Sequence, residues 1–84
     1  MDDIDPIEIT HVHKFFPELT EKEMLVCFLF CREMNRYEIA EHKRVSVTQI
    51  DNLLRTIRKK LKLTENQEIK VTYLLRVLRN SRLS

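Results

Sequence analysis

The chain has 84 residues, room for one small domain. It contains no glycine, no tryptophan and only two prolines, which excludes hairpin-rich β architectures and phosphate-cradling glycine loops. The formal net charge is only +2, but it is polarised. Residues 1 to 41 carry ten acids and four bases, for −6, and residues 42 to 84 carry three acids and eleven bases, for +8. Such a distribution is common where one face meets phosphates. No apolar run approaches the roughly 20 residues of a membrane span. No secretory signal opens the chain, so a soluble, cytoplasmic protein with no membrane partner is expected.

In chain order, residues 1 to 4 are expected to fray. Asp5-Pro6-Ile7-Glu8 predicts a short N-terminal helix with proline at its first position, where the missing N–H is harmless. Ile9, Val12 and Phe16 would be its buried stripe. The alternation in "IEITHVH" also fits a strand, but a lone strand would have no partner. Phe16-Pro17 ends the element, because the residue before proline avoids the helical region. Four capping boxes follow: Thr20 with Glu23, Asn35 with Glu38, Ser46 with Gln49, and Thr64 with Gln67. Three of them add a hydrophobic staple, Leu19 with Met24, Met34 with Ile39 and Val45 with Ile50. These signals predict helices over about 20–33, 35–43, 46–61 and 64–80, with 81–84 frayed. The domain organisation expected is an extension or stem over 1–18, one helical domain over 19–80, and a tail.

The inward faces follow from 100° per residue. Cys27, Phe30, Cys31 and Met34 make the main stripe of the 20–33 helix. Met24, Val26 and Phe28 widen it, so this helix belongs at the centre. Ile50, Leu54, Ile57 and Leu61 form one narrow face of the 46–61 helix. Opposite them lie Thr48, Asn52, Arg55 and Lys59, with Lys62 beside them and Asp51 and Arg58 on one flank. The 64–80 helix carries two stripes, Val71/Leu74/Leu75/Leu78 and Ile69/Tyr73/Val77. One serves the core, and the other needs the N-terminal helix or a second molecule.

Cys27 and Cys31 read as small apolar side chains. No histidine has zinc-finger spacing to them, so no metal is expected. "HVH" at 11 to 13 would put its two imidazoles on different faces of a helix. With no nucleophile–base constellation and little room for a pocket, neither enzyme nor cofactor is expected.

A short helix, a tight turn and a longer helix with a basic outer face make a helix-turn-helix. "LTEKE", "NRYEIAE" and "VSVTQIDNLLRTIRKKL" resemble, in that order, the L-T-x-x-E, S-x-x-E-I-A and I-S-x-x-T-V-x-x-H-x-x-x-I-x-x-K-L segments of the LuxR/GerE-type bacterial transcription regulators. The resemblance runs ungapped from Leu19 to Leu63, about half of the chain. It implies an all-α, four-helix, winged-less bundle, here with a short extra N-terminal helix. It also implies that the 46–61 helix enters the major groove of double-stranded DNA while the next helix pairs two subunits into a homodimer. Carried across, Asp51, Asn52 and Arg55 fall where base edges are read, and Thr48, Arg58, Lys59 and Lys62 fall near phosphates. Ile69, Tyr73 and Val77 are the stripe assigned to the dimer. Arg can bridge guanine O6 and N7, and Asn can bridge adenine N6 and N7. The departures from the pattern are Leu53 for its His, Lys43 for a core Leu, Glu33 for its Gly, and Asp51 for its base-reading Lys.

Asp51 has three open roles: a partner for Arg55 at i+4, a partner for Arg58 on its flank, or an acceptor for cytosine N4. Two further readings of the chain stay open. Sigma-factor promoter-recognition modules share the "EIA" and S-x-x-x-I pattern and would add RNA polymerase as a partner. A protein-interaction module that has lost DNA binding would use Asp51, the acidic first half and the Ile69/Tyr73/Val77 stripe as its surface.

Overall fold

The computed structural model describes residues 6–81. Among them the chain forms five α-helices and no strand: α1 (Pro6–His13), α2 (Glu21–Cys31), α3 (Arg36–Lys43), α4 (Val47–Leu61) and α5 (Asn66–Ser81). No helix among the described residues is long and apolar enough to cross a membrane. The fraying expected at 1–4 and 82–84 lies outside the described residues, while Ser81 still closes α5.

Three capping boxes close in both directions. Thr20, Asn35 and Ser46 each accept from the N–H three residues on, and Glu23, Glu38 and Gln49 each accept from the cap's own N–H. The fourth box differs. The N–H groups of Thr64 and Glu65 both donate to Glu68 Oε1, at 2.7 and 2.8 Å, so Glu68 replaces Gln67 and α5 begins at Asn66.

The helices end by a shared device. Glu33, Arg44 and Lys62 have φ of 72°, 60° and 61°, the left-handed region in which a side chain is strained. After each, the next N–H reaches back to the carbonyl five residues earlier: Met34 to Leu29, Val45 to Ala40, Leu63 to Arg58, at 3.3, 3.0 and 2.7 Å. The left-handed residue itself donates to the carbonyl three residues back, from Glu33 to Phe30, Arg44 to Glu41 and Lys62 to Lys59. These paired bonds define the Schellman motif, which normally takes glycine at the reversal. The departure Glu33-for-Gly therefore keeps the turn and accepts the strain.

α2 packs against all four other helices. Its Met24, Val26, Cys27, Phe28, Leu29 and Phe30 are buried, as expected of a central helix. Ile50, Leu54, Ile57 and Leu61 of α4 are buried against it, as are Ile39 and Ala40 of α3. α1 docks on α2, and Val12 and Phe16 enter the same core with Ile9 packed at its edge, so residues 6–18 share the hydrophobic core of the remaining helices.

The two stripes of α5 are exchanged relative to their sequence assignment. Ile69 is 0 % exposed, and Tyr73 and Val77 pack against the core, so they are not free to meet a second molecule. Tyr73 stacks on Phe16, with ring centroids 5.8 Å apart, and its burial raises its pKa to about 12. Arg76, on the same side, donates to the Phe15 carbonyl at 2.7 Å and forms two 2.9 Å hydrogen bonds to Glu18. The N-terminal segment thus draws that side of α5 inward. Val71, Leu74, Leu75 and Leu78 are left 52–55 % exposed.

Among the described residues, one acid is buried. Glu23 Oε1 accepts from the Thr20 N–H at 2.9 Å and from Lys60 Nζ at 2.8 Å. Burial pushes its pKa up, but the hydrogen bonds from Lys60 and Thr20 outweigh that and hold it below the ordinary 4.5. Glu18 is lowered by its hydrogen bonds to Arg76, and Glu68 by the N–H groups it caps.

Two outcomes are expected. Arg44→Gly and Glu33→Gly each relieve a left-handed side chain and raise stability by about 1 kcal/mol, less the extra freedom of glycine when unfolded. Thermal melting should register this as a rise of about 4–8 °C per kcal/mol. Because Glu18, Glu23 and Glu68 bind protons more weakly when folded, their contribution is complete above pH 4.5 and is lost as pH falls below it. Glu23→Gln should therefore be less stable than the native chain at pH 7, by about 1–3 kcal/mol, and melts at descending pH should show the gap narrowing below pH 4.5.

Candidate nucleic-acid interface

The outward face of α4 is set by what lies behind it. With Ile50, Leu54, Ile57 and Leu61 buried, geometry forces Thr48, Asn52, Arg55 and Lys59 to the opposite side, and all four are exposed, as is Lys62 at the helix end. The Ser46 cap and the Lys62 reversal fix its two ends. Within the face, Arg55 Nη2 donates to Asn52 Oδ1 at 3.2 Å, so the two side chains suited to reading bases are joined. The Thr56 hydroxyl donates to the Asn52 carbonyl at 3.0 Å.

The two flanks of this face meet different neighbours. On one, Asp51 faces α3. Both of its carboxylate oxygens accept from Arg36 Nη1, at 2.7 and 2.8 Å. Arg36 Nη2 reaches the Tyr37 hydroxyl at 3.4 Å, and its guanidinium lies 5.1 Å from the centre of the Tyr37 ring. The hydrogen bond to Asp51, reinforced by its charge, raises the Arg36 pKa above its ordinary value. Neither Arg55 nor Arg58, the partners expected from spacing, takes this acid. Arg58, on the same flank, instead donates to Asn66 Oδ1 at the start of α5. It is half-buried there, which ties it to the helix junction. On the other flank, Gln49, Asn52, Leu53 and Thr56 line a shallow groove with Lys22 of α2.

The structure therefore gathers Thr48, Asn52, Arg55, Lys59 and Lys62 on one open face, turns Arg58 towards α5, and pairs Asp51 across to α3. Sequence reasoning missed Arg36 and Lys22. The flank position of Asp51 was visible, but a partner on another helix has no spacing to reveal it. Lys60 was visible only as a motif residue, and its pairing to Glu23 joins α4 to α2.

The other candidate side chains have structural settings. Cys27 is buried and Cys31 half-buried, both as free thiols. A hydrogen bond to Cys27, then burial, raises the Cys31 pKa, which makes it a poor nucleophile at neutral pH. His11 is exposed and packs edge-on against Phe15, while His13 Nε2 lies 2.7 Å from the Leu19 carbonyl. No cluster of three or more His, Cys, Asp or Glu side chains arranged to hold a metal occurs among the described residues. In comparisons with known proteins, no family model, no curated protein and no solved structure is significantly similar to this chain.

Proposed function

We propose that this chain is a sequence-specific DNA-binding regulator of transcription of the LuxR/GerE helix-turn-helix type, or the DNA-binding part of one, acting in the cytoplasm. In this reading α3 is the first helix of the motif and α4 the recognition helix. The observation that carries it is the open face of α4. Five polar and basic side chains share it, and the one acid at its edge is already paired with Arg36. A helix about 10–12 Å across fits a major groove about 12 Å wide. Asn52 and Arg55 would read bases, with their mutual hydrogen bond limiting the rotamers each must give up. Thr48, Lys59 and Lys62 would contact phosphates, with Lys22 beside them.

A regulator of this type works as a homodimer, so that two recognition helices enter successive grooves. The exposed stripe Val71/Leu74/Leu75/Leu78 of α5 supports that, and it replaces Ile69/Tyr73/Val77 as the pairing surface. A second copy is the occupant we assign to it. Glu68 and Arg79 lie on one flank of this stripe. In an antiparallel, two-fold pair that flank meets itself end to end, so acid faces base.

Two outcomes follow. After selection of a preferred duplex, Arg55→Ala should cost roughly 1–3 kcal/mol on that site and relax its sequence preference, while Lys59→Ala weakens all duplexes alike. A gel-shift series across salt reads both, and equal losses for both variants on selected and random DNA would refute the reading roles. Leu75→Glu should leave the helical circular-dichroism signal intact and shift the sedimenting species to monomer. A duplex carrying two half-sites should then be bound no better than a single half-site. Absence of salt-dependent binding to any duplex would leave the protein-interaction reading.

A further inference from the structure

We propose that Arg36, at the first position of α3, is a DNA phosphate contact and that Asp51 is its positioning residue; this rests on the DNA-binding reading above.

Asp51 stands where a base-reading cation belongs in the family pattern, and as an isolated charge it would repel phosphate. Its carboxylate is not isolated. Both oxygens are engaged by one guanidinium nitrogen, Arg36 Nη1. That leaves the edge formed by Nε and Nη2. The only other partner of this guanidinium among the described residues is the Tyr37 hydroxyl, at a weak 3.4 Å from Nη2. The Nε–H and Nη2–H groups along that edge make the parallel fork that fits two phosphate oxygens. The side chains of Arg36 and Asp51 are 37 % and 40 % exposed, so the pair is open to a ligand.

The location suits a groove wall. Asp51 lies on the α3 flank of the open face of α4, and Arg36 lies beyond it. The width of α4 nearly fills a major groove, so a cation just past its flank falls on the phosphate ridge and not on the groove floor. Lys22 occupies the equivalent place beyond the opposite flank, across the groove lined by Gln49, Asn52, Leu53 and Thr56. A long arginine normally loses much rotamer freedom on binding. Here Asp51 and the Tyr37 ring have already fixed the guanidinium.

The sign of one substitution separates this proposal from simple repulsion. If Asp51 only repels phosphate, Asp51→Asn tightens binding. If it aims Arg36, Asp51→Asn weakens binding even though it removes a negative charge. The experiment is a salt-titrated affinity series on the selected duplex, with thermal melts of every variant. Arg36→Ala should lower affinity about tenfold on selected and random duplexes alike and make the salt dependence shallower by about one phosphate's worth, near 0.9 in log–log slope. Asp51→Asn should lower affinity several-fold. The Arg36→Ala/Asp51→Asn double variant should be no weaker than Arg36→Ala alone. Arg36→Lys keeps the charge but not the fork, and should lose affinity with its salt slope retained. The reversed pair, Arg36→Asp with Asp51→Arg, keeps opposite charges between α3 and α4 and should melt near the native chain without recovering affinity, which separates holding the helices together from contacting DNA. Tighter binding by Asp51→Asn, or native affinity in a folded Arg36→Ala, overturns the proposal while the native chain still binds DNA. If the native chain binds no duplex in the same series, the functional reading itself fails and the proposal falls with it.

Discussion

Three left-handed residues hold this fold in shape. A chain without glycine must reverse direction after α2, α3 and α4, and it does so at Glu33, Arg44 and Lys62, each costing about 1 kcal/mol. The strain is tolerated because the next residue in each case is apolar and the one after it caps or precedes a helix: Met34-Asn35, Val45-Ser46, Leu63-Thr64. Met34 and Leu63 pack against the core beside the turns they follow, so two of the three reversals are also held by apolar contact. With a three-residue connection between them, there is little freedom left in how α3 sits on α4. The face of α4 that points to solvent is then decided chiefly by Ile50, Leu54, Ile57 and Leu61.

Two ion pairs finish that placement from either side of α4. Lys60 reaches Glu23 of α2, and Asp51 reaches Arg36 of α3. The first is partly buried, and its acid also caps α2, so the same carboxylate fixes a helix start and a helix–helix contact. The second is open to solvent, where an ion pair contributes little to stability. Its importance is local: it neutralises the acid that otherwise conflicts with a basic surface, and it aligns a guanidinium beside that surface. The charge asymmetry of the chain is met in part by pairs of the first kind, in which acids of the first half hold bases of the second, as Glu18 also does with Arg76.

Much of this was legible in the sequence because it is local. A cap and its partner are three residues apart, and a buried helix face recurs every three or four, so three capping boxes and the inward face of α4 could be read directly. The fourth helix start was misread by one residue because Gln67 and Glu68 are both plausible cap partners, and only the carboxylate of Glu68 gathers two N–H groups. The partners of Asp51 and Arg58 were not legible, because each lies on another helix. Spacing favours partners on the same helix, whereas packing brought Arg36 and Asn66 closer. The outward residues Asn52, Arg55, Thr48, Lys59 and Lys62 were legible because exposure follows from what is buried behind them.

The two stripes of α5 show where local reading stops. Both are apolar and both have helical spacing, so periodicity gives them equal standing. The choice between them is made 57 or more residues upstream. Phe16 stacks on Tyr73, and the Phe15 carbonyl and Glu18 hold Arg76, so Ile69, Tyr73 and Val77 must turn inward. Val71, Leu74, Leu75 and Leu78 are then exposed as a consequence of that packing. Four large apolar side chains in one line on a small domain are costly to leave in water. The segment around α1 therefore does more than lengthen the domain: by choosing which side of α5 is buried, it also chooses which side is left for a partner.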